Sequence, residues 1–257
     1  MSALRDKKFL DDLCDDAARR YRPAGRFALH FARGKLGGDA MFGALLKNEL
    51  IVDGARIVDI GCGQGLLAAW LLAARAAYVS GTWPMEWPMP PRFTTLHGTD
   101  RSHADVARAT AALGALARFT RADLRDPDAP TIEACDVVVL LDVLHYLEPA
   151  VQDRLLVSVR NALAPDGVLL MRVGNADARL RSGIANGVDL LVSALRGNPL
   201  ARLYRRPVSV WVAALAHLGF GVETITLGNA RHDANANVLL AARLERPCIS
   251  GSAAALR

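Results

Sequence analysis

RIVDIGCGQGLLAAWLL, residues 56–72, reads as a buried strand, a glycine-rich turn and a helix in immediate succession. Ile57, Val58 and Ile60 supply the apolar, β-branched run of an interior parallel strand, and Leu66–Leu72 opens a strongly apolar helix. Gly61, Gly63 and Gly65 lie between them. Glycines there let the backbone turn sharply and let a ligand approach main-chain amides at a helix N-terminus without a Cβ in the way. A dinucleotide fingerprint, G-x-G-x-x-G/A, needs a small third residue at position 66, where Leu66 stands. Nicotinamide chemistry therefore loses its support. The plainer reading of the glycines is a turn that merely closes a tight strand–helix joint.

Outward from this motif the chain alternates strands and helices, the pattern of a doubly wound α/β sheet. FTTLHGT (93–99) is a second strand ending at Asp100, with Ser102 as the N-cap of its helix. A short third strand, ARFTRA, runs up to Asp123, and CDVVVLLD (135–142) is nearly continuous in apolar residues, as a central strand should be. VLHYLEP follows, then a helix, VQDRLLVSVRNALA, whose end is marked by Pro165-Asp166-Gly167, then the strand GVLLMRV (167–173). Residues 174–205 interrupt the alternation, with Ile184, Val188, Leu191, Val192 and Leu195 at helical spacing. A helix from about Pro207 to Leu218 leads into GVETITL and NVLLAARL, which read as a hairpin. Residues 1–52 form an amphipathic helical cap, residues 53–245 the α/β domain, and residues 246–257 a tail. GTWPMEWPMPPRF (81–93) lies in a helix-to-strand connection, at the edge of the sheet away from ligands, and is expected to be a packed, proline-stiffened loop.

The spacing G-x-G-x-G, with Asp59 two residues before the first glycine, resembles the first motif of the class I S-adenosylmethionine (SAM) methyltransferases. The resemblance covers about residues 56–244 and implies a Rossmann-like, mostly parallel seven-stranded sheet with an antiparallel last strand. It implies SAM as cofactor, with Asp59 and the three glycines on the methionine part. Asp100 would accept the ribose hydroxyls, Arg101 flank the adenine, Asp123 accept the adenine amino group, and the Leu124 amide donate to a ring nitrogen. The Leu141 carbonyl would take the SAM amino group, and Asp142, His145 and Tyr146 would face the methyl donor. Each aspartate has a plainer reading as a helix cap or turn residue.

LDVLHY lacks the Asn/Asp-Pro-Pro-Tyr/Phe motif of relatives that methylate base amines, and the one Pro-Cys, Pro247-Cys248, falls beyond the last strand. The expected acceptor is a small molecule, with transfer to a hydroxyl. His145 is the first candidate for general base, assisted by Tyr146, because histidine titrates near neutrality. Its other reading is a cap or packing residue. His30 and His232 rank below it, and Arg33 or Lys35 can reach over the site to the SAM carboxylate. YRPAGRFALHFARGKLGGDAMFGALL (21–46) is similar to methyltransferases of aryl-polyene or fatty-acyl-type pathways, which implies an aryl or acyl acceptor, with an acidic carrier protein as a possible presenter. The alternative function is a SAM-binding regulatory or scaffold protein without catalysis.

Composition narrows the partners. The 257 residues suffice for one α/β domain with additions, and no apolar run is long enough for a membrane span. The mixed-charge start has no apolar signal core and is expected to be cytoplasmic. Cys14, Cys62, Cys135 and Cys248 stand singly, so neither disulfides nor a metal site is expected. The net charge of +5 comes from 27 Arg and 4 Lys interleaved with 26 acids. Without an aromatic platform beside the arginines, no nucleic-acid partner is expected. The sequence sets no oligomeric state.

Overall fold

The computed structural model describes residues 2–174, 203–227 and 237–245. Three helices, α1 (Ser2–Arg19), α2 (Arg26–Gly38) and α3 (Ala40–Lys47), precede an alternation of β1 (Ala55–Ile60), α4 (Leu66–Val79), β2 (Phe93–Asp100), α5 (His103–Leu113), β3 (Arg118–Arg121), β4 (Cys135–Leu141), α6 (Pro149–Ala162) and β5 (Leu163–Gly174). The described part ends with α7 (Val208–His217), β6 (Phe220–Thr226) and β7 (Asn237–Leu244).

The strands form a seven-stranded sheet in the order β3-β2-β1-β4-β5-β7-β6. Pairings among β1 to β5 are parallel, and β7 runs antiparallel to both β5 and β6. This is the expected mostly parallel sheet with an antiparallel last strand. The order reverses beside β1: one connection leads through α4 to β2, while β4 lies on β1's other side. A crevice opens at such a point, outside the carboxyl ends of the strands.

Two apolar layers hold the sheet. One side packs against α1, α4 and α5 with the apolar faces of α2 and α3, and the other against α6 and α7. Val137–Leu140 of β4 are fully enclosed between them, which explains why their sequence is continuously apolar rather than alternating. Each such side chain contributes roughly 1.5–3 kcal/mol by leaving water. Ser102 caps α5 as expected, its Oγ accepting from the Asp105 amide at 3.2 Å.

Two local details differ from or refine the sequence reading. Pro165-Asp166-Gly167 does not separate helix from strand; Leu163 already pairs with Cys135, the chain bulges, and pairing resumes at Val168 with Val137. Proline cannot donate to a ladder, so the strand carries it in the bulge, while the buried Leu163 anchors the start of the strand. Within residues 81–93, Trp83 and Trp87 are buried and meet Phe9 of α1 edge-to-face at 5.4 and 5.3 Å between ring centroids. The loop is thus packed, and its tryptophans fasten α1 to the domain. The helical pattern read in 184–195, His232, Pro247-Cys248 and the tail lie outside the described residues.

Candidate functional site

The glycine loop joins β1 to α4 with all three glycines in the left-handed region, at φ 77° (Gly61), 54° (Gly63) and 78° (Gly65). The three differ in surroundings. A Cβ on Gly61 would lie 2.8 Å from Val143, and one on Gly65 2.8 Å from the Phe119 ring, whereas one on Gly63 would meet nothing within 4 Å. Gly61 and Gly65 therefore serve the protein's own packing, and Gly63 is where the backbone faces open space. The sequence alone assigned ligand approach to all three.

Asp100 shapes this loop. Its Oδ2 accepts from the Gly63 amide at 2.9 Å and its Oδ1 from the Ser102 amide at 2.8 Å, so one carboxylate at the end of β2 ties the glycine loop to the start of α5. The Gly61 and Cys62 amides donate to the Thr99 carbonyl, at 2.8 and 3.0 Å, closing the same corner. Asp59 sits on β1 opposite Gly98 of β2 and is 4% exposed. Burial, and secondarily the negative charge of Asp100, push its carboxyl up to about 7. Among the described residues neither Asp59 nor Asp100 has a cationic partner.

The other two carboxylates of the row are neutralised. Asp123, beyond β3, accepts from the Arg125 side chain at 2.5 and 2.9 Å, which holds it below the usual carboxylate range. Leu124 next to it packs half-buried against the α6-side core, and Arg101 is exposed, with its carbonyl accepting from Arg121 at 3.2 Å. Asp142 follows Leu141 at the end of β4 with φ 57°, a strained value that aspartate tolerates better than most residues. Burial alone would raise its carboxyl, but the charges of Arg172 and Lys35 overcome that and hold it at about 2.

Arg172 is the centre of that network and was not read from the sequence as part of the site. Its Nε donates to Asp142 Oδ1 at 2.7 Å, one terminal nitrogen pairs with Asp142 Oδ2, and the other reaches Asp39 at 2.6 Å. Lys35 of α2 lies 3.1 Å from both Asp39 and Asp142. The network thus binds the cap helices to the ends of β4 and β5. A signal existed in GVLLMRV: an arginine inside an otherwise apolar, buried strand needs a carboxylate. Arg33, the other cap cation considered, pairs instead with Asp15 at 2.8 Å.

His145 and Tyr146 lie on a 3-10 turn, Leu144–Tyr146, just past Asp142, with ring centroids 4.1 Å apart. The turn is braced by the buried Gln152, whose Nε2 faces the carbonyls of Leu144, Leu147 and Tyr204 at 2.9, 3.0 and 3.2 Å, and by the Tyr204 amide donating to the His145 carbonyl at 2.8 Å. Above the crevice runs α2. Phe27, 56% exposed, stacks at 6.1 Å with Phe31, lies 4.7 Å beneath the Arg108 guanidinium of α5, and shares its helical stripe with Lys35 at the far end.

The strand order therefore places Asp123, Asp100, Asp59 and Asp142 in a row along one edge of the sheet. Direct hydrogen bonds unite Asp100 with the glycine loop, and ion pairs unite Asp142 with the cap. What the middle of the row offers is two carboxyl groups, one buried and one half-buried, without a cationic partner among the described residues and beside open backbone, which suits a cationic ligand. Among the described residues no group of His, Cys, Asp and Glu could hold a metal ion, and no helix is long and apolar enough to cross a membrane.

Comparison with known proteins agrees with this geometry. Residues 58–169 match a family model described as a methyltransferase domain. No curated protein matches the sequence. Among solved structures, a SAM-dependent methyltransferase from Mesorhizobium loti superposes with a TM-score of 0.54 at 24% identity, over 80% of this chain and 98% of that one. Magnesium protoporphyrin IX methyltransferase from Synechocystis, with bound SAH, gives a TM-score of 0.54 at 17% identity, over 93% of this chain and all (100%) of that one. At such identities the likeness is one of fold.

Proposed function

We propose that this chain, whose residues 58–169 match a methyltransferase-domain model, is a class I SAM-dependent methyltransferase that transfers a methyl group from SAM to a hydroxyl of a small aryl or acyl acceptor. The observation that carries the cofactor assignment is the pairing of the buried Asp59 and the half-buried Asp100, neither with a cationic partner among the described residues, with the open backbone of Gly63. In this reading Asp59 and the loop shaped by Gly61 and Gly65 and open at Gly63 would hold the cationic methionine end, Asp100 the ribose, and Arg101, Asp123 and Leu124 the adenine. The Leu141 carbonyl would take the SAM amino group, and Asp142 would face the methyl donor. Asp123 reaches an adenine amino group only by sharing its oxygens with Arg125, for which its spare lone pairs suffice.

When bound, SAM supplies a methyl group on a sulfonium, already a good leaving group. The protein's share is to align the acceptor oxygen and exclude water. His145 takes the acceptor proton and Tyr146 packs against its ring, on a turn that Gln152 keeps rigid. The exposed Phe27, stacked on the half-buried Phe31, supports an apolar, flat acceptor. The surplus of arginine supports its presentation on an acidic carrier.

Calorimetric titration with SAM and SAH tests the cofactor. Asp100→Ala is expected to weaken SAH binding by about 1–3 kcal/mol, since it removes a ligand acceptor and the anchor of Gly63; unchanged affinity rejects the assignment. Transfer of labelled methyl from SAM to a small-metabolite extract tests catalysis. His145→Ala is expected to lower the rate about 100-fold with SAH affinity retained, and a full rate in that variant removes His145 as the base.

A further inference from the structure

Gln64, the residue between Gly63 and Gly65, points away from the crevice and into the cap. It is 1% exposed, its Nε2 donates to the Ala28 carbonyl of α2 at 2.9 Å, and its main-chain carbonyl accepts from the hydroxyl of Tyr21 at 2.8 Å. Tyr21 is itself fully enclosed between the end of α1 and the glycine loop. Two buried hydrogen bonds, one from each side of the same residue, thus lock the loop to the segment that leads into α2. The Oε1 atom of Gln64 is buried without a partner among the described residues. An apolar side chain of similar size would fill this place without stranding an acceptor, so the amide is poorly explained by packing and well explained by what its donor holds. Ala28 begins the buried stripe Ala28, Ala32, Leu36 of α2, and the other end of that helix is held at Asp142 through Lys35. The helix therefore spans from the glycine loop to the end of β4 and is fastened at both ends to residues of the cofactor crevice.

We propose that Gln64 and Tyr21 are positioning residues that couple cofactor binding to docking of α2: the loop keeps Gly63 open to the ligand only while the Tyr21–Gln64–Ala28 connection is made. This rests on the reading of the crevice as a SAM site. Coupling of this kind is reciprocal, so ligand binding tightens α2 as much as docked α2 tightens binding. It gives the cap, which carries the exposed Phe27, a closed form that follows cofactor occupancy.

The test is amide hydrogen exchange of the full chain with and without SAH, together with SAH calorimetry. In the wild type, SAH is expected to slow exchange in residues 26–38 severalfold. Tyr21→Phe, which removes one hydroxyl, and Gln64→Met, which keeps the volume and removes the amide, are each expected to weaken SAH binding about tenfold. Both should also speed exchange in 26–38 without ligand while leaving β4 protected. Wild-type chain that binds SAH without protecting 26–38, or variants that bind as tightly as wild type, overturn the coupling and leave the cofactor reading standing. The wild-type measurement needs no variant, so poor folding of either substitution does not protect the proposal. Failure of folded wild-type protein to bind SAH overturns both.

Discussion

Replacing Arg172 by methionine lowers the free energy of unfolding by about 3–5 kcal/mol at pH 7, read from urea denaturation. The side chain of Arg172 is 3% exposed and holds two carboxylates, so its removal strands Asp39 and Asp142 with Lys35 alone. Lys35→Met is the comparison. Its side chain is 39% exposed, where solvent screens the pair, and the expected loss is below about 1 kcal/mol. Equal losses in the two variants would reject the assignment of Arg172 as the hub. The pH dependence carries a second check. Asp142 is held at about 2, below its ordinary 3.8, so the stabilisation it draws from the network is complete above about pH 4 and disappears as pH falls toward 2. Protonation also removes the stranded charges in the variant. The gap between wild type and Arg172→Met therefore narrows over that window, and a gap that widens on acidification contradicts the network.

Asp59→Asn should act in opposite directions on stability and on binding. With its carboxyl raised from 3.8 to about 7 by burial and by Asp100, Asp59 holds its proton in the fold over a range where the unfolded chain has lost it. Stability of the ligand-free chain consequently falls as pH rises from about 4 to 7 and stays low above that. A tenfold change in proton affinity is worth about 1.4 kcal/mol, so asparagine is expected to raise the unfolding free energy at pH 8 by on the order of 2–4 kcal/mol and to change it little at pH 4. The same substitution removes the charge that a cationic ligand needs, and SAM affinity should drop tenfold or more. A variant at once less stable at pH 8 and undiminished in SAM binding would show that Asp59 is an ordinary structural carboxylate. The contrast expected here is that of a site whose empty form stores unfavourable electrostatics, relieved when the ligand arrives.

Much of this was legible in the sequence because it is written locally. The strand, glycine turn and helix at 56–72 need only the apolar period and the glycines, and Asp59, Asp100 and Leu141-Asp142 follow from where each strand stops. The Ser102 cap is a matter of neighbouring residues. Even the tryptophan loop was readable as packed, because four prolines and two tryptophans leave little other use for it. The bulge at Pro165 was not, since pairing of Leu163 with Cys135 depends on a neighbouring strand rather than on the turn signal itself.

The sequence by itself thus determined the order of strands and helices along the chain, the glycine loop and the carboxylate at the end of each strand, each set by residues within a few positions of it. Tertiary structure decided that Asp142 and Asp39 are neutralised while Asp59 and Asp100 keep no cationic partner among the described residues, because the partners are remote: Lys35 meets Asp142 across 107 positions and Arg172 meets Asp39 across 133. It decided likewise that Gln64 faces Ala28, 36 positions away, rather than the crevice. Charge and hydrogen-bond partners are fixed by distance in space and by exclusion of water, and neither quantity is a function of spacing along the chain.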